Sequence, residues 1–287
     1  MILTGARHDG WIGSGGVGAG IDLVVTDLDG TLWDGGECIH RLTMAALAEF
    51  AQRRIPVLVA TGRRTRSAAA GLARSGLVLP AVLLDGALGR DLRDGRLFHE
   101  HRFTPEHAAA VLAAFAEAGL SPCVYVEQPD ADVVIEARPS TSASHLAMLG
   151  PWARRGDLAD TVATQPVYAF AICGRDPRVL RPCADLVRAS GAARATVSRD
   201  VLHGGATLMA RPFGMSKWQG VLAFCAEQGL DPGRVLAVGD GENDLELLSA
   251  ALVSCVVRDG CEAALALADH VLEPAGQGGW GQILELI

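Results

Sequence analysis

Two short acidic clusters, Asp27-Leu28-Asp29-Gly30-Thr31 and Gly239-Asp240-Gly241-Glu242-Asn243-Asp244, lie far apart in this chain, and each closes an apolar run. Ile21-Asp22-Leu23-Val24-Val25-Thr26 precedes the first and Val235-Leu236-Ala237-Val238 the second. Short β-branched runs of this kind read as strands of a parallel sheet buried on both faces. If the two strands are neighbours, their carboxyl ends bring several acids into one crevice, where open α/β sheets take their ligands. Carboxylates so crowded repel one another. A hard divalent cation with oxygen ligands relieves that repulsion, and Mg²⁺ beside a phosphate is the usual arrangement.

The intervening pattern supports such a sheet. A helix is predicted from about Thr43 to Arg54, a strand over 55–60, a second helix to about Ser75, and a third apolar run over 81–84. This βαβαβ order with short loops implies right-handed crossovers in a parallel sheet. After Gly86 the order changes. A hairpin is expected around Arg93-Asp94-Gly95, then a helix opened by Thr104-Pro105-Glu106, whose proline suits a first helical position. Strand-like pieces follow at 123–127, 132–136, 167–173, 195–198 and 207–210, with helical stretches near 142–149 and 177–189. The α/β rhythm returns after Pro212-Phe213-Gly214, with a helix from Lys217 to Gln228, the strand ending at Asp240, a helix over 243–250 and a strand over 253–257. The expected fold class is therefore α/β: a Rossmann-like doubly wound parallel sheet core over residues 21–85 and 212–287, interrupted by an inserted α+β cap domain over 86–211. Residues 1–20 read as a flexible, glycine-rich leader. Within it Gly13-Ser14-Gly15-Gly16-Val17-Gly18 spells G-x-G-x-x-G, but a strand follows it, whereas a dinucleotide loop needs one before it.

Composition narrows the partners. A net charge of −8 argues against a general nucleic-acid or anionic-membrane surface and leaves small anionic substrates open. No apolar stretch reaches the ~18 residues that a membrane span needs, and the N-terminus has no charged-then-apolar signal pattern. The seven cysteines are scattered, odd in number and without a C-x-x-C pair, so no disulfide framework is expected and the protein reads as cytoplasmic. No feature specifies an oligomeric state.

Four motifs stand in a fixed order: D-x-D-G-T at Asp27 to Thr31, a strand-ending threonine in Ala60-Thr61-Gly62-Arg63, a lysine opening a helix in Gly214-Met215-Ser216-Lys217, and G-D-x-x-N-D at Gly239 to Asp244. In them the chain resembles the haloacid dehalogenase superfamily, and within it the Cof-type phosphatases with a large α/β cap. The resemblance covers nearly everything after residue 20.

It implies a Mg²⁺-dependent phosphomonoester phosphatase acting on a small phosphorylated metabolite, a sugar phosphate or related polyol phosphate, through an aspartyl-phosphate. Asp27 would be the nucleophile and Asp29 the general acid and base, since one group can serve both half-reactions. Asp27, the backbone carbonyl of Asp29, Asp240 and Asp244 would surround the metal. Thr61, Gly62, Lys217 and Asn243 would hold the phosphate oxygens, with Lys217 also offsetting the charge of Asp27. Arg63 fits the family's T-G-R, whereas Arg64 and Arg66 are expected on a solvated helix face. In the cap, Tyr125, Trp152, His203 and Arg211 are conceivable substrate contacts. Three departures stand out: Asp85-Gly86-Ala87 where Asn-Gly-Ala is common, Trp218 in place of glycine after the lysine, and Arg258-Asp259-Gly260 in place of Gly-Asn-Ala. A phosphomutase of the same fold, and a catalytically silent binding protein that kept the fold, are the competing readings.

Overall fold

The computed structural model describes residues 20–287, so the expected leader and its G-x-G-x-x-G lie outside the described residues, except for Gly20. Strands β1 (Leu23–Thr26), β2 (Val57–Ala60), β3 (Pro80–Leu83), β4 (Leu88–Asp91) and β5 (Leu97–Glu100) join β12 (Val235–Gly239), β13 (Val253–Val257) and β14 (His270–Leu272) in an eight-stranded sheet of order β14-β13-β12-β1-β2-β3-β4-β5. From β14 to β3 the pairing is parallel throughout. The chain winds outward from β1 through β2 to β3, and on its return winds the other way from β12 to β14. The switch in direction falls between β1 and β12.

Alternation along the strands explains burial on both faces. Val24, Val57 and Val59 point into one apolar cluster with Phe50 and Trp280, beneath α1 (Arg41–Arg53) and α2 (Thr65–Arg74). Leu23, Val25, Leu58 and Ala60 point into the other with Val221, Phe224 and Leu247, from α7 (Lys217–Gln228) and α8 (Leu245–Ala250). Period-two side chains on a doubly covered strand produce this arrangement. The Trp280 indole also donates to the Thr26 hydroxyl at 3.0 Å, satisfying its polar edge inside the core.

The second sheet has six strands in the order β10-β11-β9-β6-β7-β8: β6 (Cys123–Tyr125), β7 (Val133–Ile135), β8 (Ala153–Arg155), β9 (Ala169–Arg175), β10 (Ala193–Arg199) and β11 (Ala206–Pro212). One face packs Val124, Phe170, Ile172 and Leu208 against α3 (Pro105–Glu117), α5 (Leu158–Thr164) and α6 (Pro177–Ala189). The opposite face, which carries Tyr125, Cys173 and Met209, looks toward the first sheet together with α4 (Ala143–Leu149). The last α-helix, α9, spans Glu262–Leu265.

One expected boundary differs. The hairpin at Arg93-Asp94-Gly95 forms, with Gly95 at φ 79°, but its strands β4 and β5 pair antiparallel with β3 and with each other. Residues 88–100 thus extend the first sheet and make it mixed, and chain that pairs only within the second sheet begins beyond Glu100. The local turn was readable; the strand that the hairpin joins is a tertiary choice. On the return, β11 ends at Pro212 and α7 follows from Lys217.

The two crossings meet. Leu84, Asp85 and Gly86 have φ of 50°, 51° and 107°, and a Cβ on Gly86 would lie 2.0 Å from the Ser216 carbonyl oxygen just ahead of α7. Only glycine fits so close an approach with that backbone. Gly86→Ala is expected to destabilise the protein by at least about 2 kcal/mol, from strain plus overpacking. Urea unfolding checks this, and an unchanged midpoint would contradict it.

Candidate active site

Each acidic cluster begins where its strand ends, on the two sides of the switch point. The backbone N–H of Asp27 donates to the Val238 carbonyl at 2.9 Å, which extends the β1–β12 pairing to the first acid. The Thr31 hydroxyl donates to Asp240 Oδ1 at 3.0 Å, and the N–H groups of Asp240 and Gly241 donate to Asp244 Oδ2 at 3.1 and 3.0 Å. Gly30, at φ 87°, makes the juxtaposition possible: a Cβ there would lie 2.8 Å from Asp240 Oδ2. One oxygen each from Asp27, Asp240 and Asp244 lie within 4.8 Å of one another.

The cation among them is Lys217, the first residue of α7, fully buried. Its ammonium donates to Asp27 Oδ1 at 2.6 Å and to Asp244 Oδ1 at 2.7 Å. Burial works against its charge, but Asp244, Asp27 and Asp85 outweigh burial and hold it above the ordinary lysine value. Burial, and the charges of Asp244, Asp240 and Asp29, push the Asp27 carboxyl well above the usual carboxylate range, with Lys217 pulling the other way. Asp240 is pushed up to about 7 by burial and by Asp244, opposed by the Thr31 hydrogen bond and Lys217. One ammonium against three carboxylates leaves the cluster short of positive charge. Its donors are all oxygen, as a hard divalent cation requires.

Asp29 faces a different set. Arg63 grips it as a fork, Nε to Oδ2 at 2.7 Å and Nη2 to Oδ1 at 2.5 Å, and the Trp33 indole N–H donates to Oδ1 at 3.0 Å. The guanidinium also pairs with Glu37, which Arg74 meets from the other side, and lies over the Trp33 ring at 5.0 Å. Thr61, buried at the end of β2, accepts from the Arg63 N–H at 3.2 Å.

Asp85 is buried beside this group. Its Oδ1 accepts from the Asn243 amide at 3.0 Å and its Oδ2 lies 3.8 Å from Arg211 Nη1. The negative charge that departs from the family pattern is thus met by a buried arginine from β11. Arg211 is itself fixed on the Met215 carbonyl at 2.8 Å and the Thr196 hydroxyl at 2.9 Å.

These residues form one wall of a cavity of about 230 Å³, and the second sheet forms the other. Asp27, Asp29, Thr61, Gly62, Asp240 and Asn243 line it, as do Tyr125 and His203 of the cap contacts considered from sequence; Trp152 and Arg211 do not. Trp152 instead stacks under Arg66, whose guanidinium carbon is 3.7 Å from the ring. The expectation of a solvated helix face fails for Arg64, which is buried against Asp132, and partly for Arg66, whose Nε donates to Asp132 at 2.7 Å. Thr65 adds a hydroxyl bond to Glu127 at 2.5 Å. The N-terminus of α2 faces the β6–β7 loop rather than water, a tertiary fact without a local signal. Glu37, Trp33, Asp132 and His145 were also missed for that reason, whereas Thr31 sat inside a motif already singled out.

The family model described as haloacid dehalogenase-like hydrolase matches residues 24–284, and the chain belongs to that family. A phosphoglycolate phosphatase of Methanopyrus kandleri is 26% identical over 260 residues, 88% of this chain and 90% of that protein. Two other curated relatives are matched over less than half their length: a phosphoglycolate phosphatase of Methanoculleus marisnigri, 38% identical over 73 residues that make up 25% of this chain and 31% of that protein, and the chloroplastic endoribonuclease YBEY of Arabidopsis thaliana, 23% identical over 86% of this chain and 43% of that protein. Among solved structures, the phosphatase BT1666 of Bacteroides thetaiotaomicron superposes with a TM-score of 0.77 at 18% identity, covering 96% of this chain and 98% of that one. The subclass IIB sugar phosphatase BT4131 gives 0.74 at 17% identity, covering 92% and 98%. The fold is the Cof-type one, a Rossmann-like core carrying an α/β cap.

The charge shortfall has a pH signature. A carboxyl whose folded value is raised adds stability while it is protonated and loses it as pH climbs through that value. In chelator, the stability of the wild type relative to Asp240→Asn is therefore expected to fall as pH rises from about 4, the unfolded carboxyl value, to about 7, the folded one, and to level off above it. Denaturant midpoints at stepped pH measure it; a difference that stays flat would show that Asp240 titrates normally.

Proposed function

We propose that this haloacid dehalogenase-like hydrolase is a cytoplasmic, Mg²⁺-dependent phosphatase that cleaves a small phosphorylated metabolite, a sugar or polyol monophosphate, through an aspartyl-phosphate on Asp27. The observation that carries the reading is the buried Lys217 ammonium shared by Asp27, which lines the cavity, and Asp244 behind it, one cation beside a cluster of three carboxylates. The phosphatase names of the matched relatives support it, and the seven unpaired cysteines support a reducing compartment.

Asp27, Asp240 and Asp244, with the Asp29 backbone carbonyl, would hold Mg²⁺, which when bound supplies the positive charge that the cluster lacks and neutralises phosphate oxygens. The protein's own groups do the rest. Lys217 orients Asp27 and pulls it toward the anionic form against burial and the neighbouring acids, and it offsets part of the incoming phosphate's charge. The Thr61 hydroxyl, accepting only from the Arg63 N–H among the described residues, keeps its proton for a phosphate oxygen, and the Gly62 backbone lines the same spot. An Asp27 oxygen attacks phosphorus in line as the ester P–O bond breaks, and Asp29 delivers a proton to the departing oxygen, which leaves as an alcohol. Asp29 then takes a proton from water, whose oxygen attacks the same phosphorus, releasing inorganic phosphate and restoring the Asp27 carboxylate. Both Asp29 oxygens are held by Arg63 and Trp33, so proton transfer requires that fork to loosen at one oxygen. The second sheet acts as a specificity cap that excludes water during the first step.

Asp27→Asn is expected to lower turnover by at least about a thousandfold while leaving the fold intact, and mass spectrometry of quenched wild-type turnover to find phosphate on Asp27. Near-normal turnover in the variant would overturn the assignment. Asp29→Asn is expected to slow alkyl phosphates more than aryl phosphates, because poor leaving groups need the proton. Activity is expected to vanish in excess chelator and return with Mg²⁺; full activity in chelator would exclude the metal-dependent route.

A further inference from the structure

The core wall of the cavity is built for a phosphate, and the cap wall has a different character. Tyr125, His145, Met148, Cys173, Thr207 and Met209 line it. Two of its polar groups form a closed relay with Thr141 behind them. The Tyr125 hydroxyl is 3.2 Å from His145 Nε2, and His145 Nδ1 is 2.8 Å from the Thr141 hydroxyl. That hydroxyl also reaches the Cys173 carbonyl at 3.2 Å and accepts from the Cys173 N–H at 3.0 Å. His145 is 2% exposed, and burial, with His203 and Arg64 nearby, pushes it down to about 3. The imidazole is neutral and carries one proton.

That proton has two places. On Nδ1 it is donated to Thr141, which passes its own to the Cys173 carbonyl, and Nε2 then accepts from the Tyr125 hydroxyl. On Nε2 it is donated to the Tyr125 oxygen, Thr141 donates to Nδ1, and the phenol proton is left for another acceptor. Tyr125 can therefore offer either a lone pair or a proton without any group becoming charged. A substrate hydroxyl, itself both donor and acceptor, matches it in both states.

A carboxylate or second phosphate would need a buried positive charge, because an anion taken out of water without a partner is strongly disfavoured. The buried cations in and beside the cavity are already committed: Arg63 to Asp29 and Glu37, Arg64 to Asp132, Lys217 to Asp27 and Asp244, and Arg211 toward Asp85. Arg199 is exposed, and the acids Asp200, Glu242 and Asp259 share the lining with it. His203 lies below the ordinary histidine value, chiefly through burial.

Building on the phosphatase reading, we infer that the end of the substrate remote from its phosphate is an uncharged alcohol read by the Tyr125 hydroxyl, with His145 and Thr141 as positioning residues, and that carboxylate-ended esters of the same length are rejected. This sets the chain apart from the matched relatives named phosphoglycolate phosphatase, and it also disfavours a mutase, which must seat a second phosphate.

The test uses pairs that differ only at the far end, glycerol 3-phosphate against 3-phosphoglycerate and glucitol 6-phosphate against 6-phosphogluconate, with p-nitrophenyl phosphate as the control for chemistry. For the chain length turned over best, kcat/KM is expected to favour the alcohol by about tenfold or more, since the wrong partner leaves buried polar groups unmatched. Tyr125→Phe, which keeps the ring and removes the hydroxyl, is expected to lower kcat/KM for that alcohol about tenfold further than for the aryl phosphate. Asp132→Asn, which frees the Arg64 charge, is expected to shift the ratio toward the acid. Equal or better use of the acid by the wild type, or an equal loss on both substrates in Tyr125→Phe, overturns the inference while leaving the phosphatase intact. Absence of aryl phosphate hydrolysis by the wild type overturns the phosphatase reading and the inference with it.

Discussion

The site depends on one buried ammonium. Lys217 sits at the first position of a helix, where the helix dipole already presents positive potential and a lysine is locally unfavourable. It is also fully buried, which costs far more unless the charge is paired. Two carboxylates, Asp27 from the end of β1 and Asp244 at the start of α8, supply that pairing from opposite sides of the switch point. Replacing a buried pair by apolar residues is often neutral or stabilising, so stability alone does not explain why three charges are held here. A segment that breaks both a capping preference and a burial preference marks a functional site. The α7 N-terminus and its lysine offset only part of the negative charge of the three acids beside them.

Topology makes that cluster possible. Residues more than two hundred positions apart become neighbours because β1 pairs with β12 on one edge and β2 on the other, and because the winding reverses between them. The register Thr26↔Val238 then leaves Asp27 one residue beyond its strand and Asp240 two residues beyond the paired valine. Loops at such a point diverge to the two faces of the sheet and open a crevice. The acids stay close only because Gly30 has no side chain to push Asp240 away.

Much of this was legible because the signals are local. Buried parallel strands are short apolar runs, and Asp27, Asp29, Thr61, Lys217, Asp240, Asn243 and Asp244 each stand at a strand end or helix start, so the motifs and the element boundaries point to the same residues. Asp27, Asp29, Thr61, Asp240 and Asn243 line the crevice, with Lys217 and Asp244 buried behind Asp27, and the Asn243 amide is turned onto Asp85, a pairing visible only in three dimensions. What stayed hidden has a common cause. The hairpin at Gly95 announces its turn but not its neighbour, and β4 joined β3 instead of the second sheet. Arg64 looks like any polar residue opening a helix, yet the second sheet closes over it and supplies Asp132. His145 sits on a short helix with no pattern of its own, and its relay draws on β6, α4, the residue pair ahead of α4, and β9. Contacts between the two sheets are set by how the insertion docks, and a single sequence holds no local record of that.

The way the insertion leaves and rejoins the core explains how a cap can matter to chemistry it does not perform. Leu84 and Asp85 hold left-handed backbone that neither residue favours, at roughly 1–3 kcal/mol each, so their conformation persists only because the surroundings impose it. The surroundings are the return crossing: Gly86 lies against the Ser216 carbonyl, one residue before Lys217, and Arg211 reaches from the last cap strand toward Asp85. Asp85 in turn holds the Asn243 amide. A small displacement of β11 relative to β3 would therefore move the partner of Asn243 and the start of α7 together, without altering the sheet that carries Asp27. Side chains in a close-packed junction shift between discrete arrangements rather than flexing continuously. The strained outward crossing and the lysine-bearing return crossing are in this sense one mechanical unit, and the acid at position 85, unusual for the family, is tolerable there because the cap itself brings the arginine that answers it.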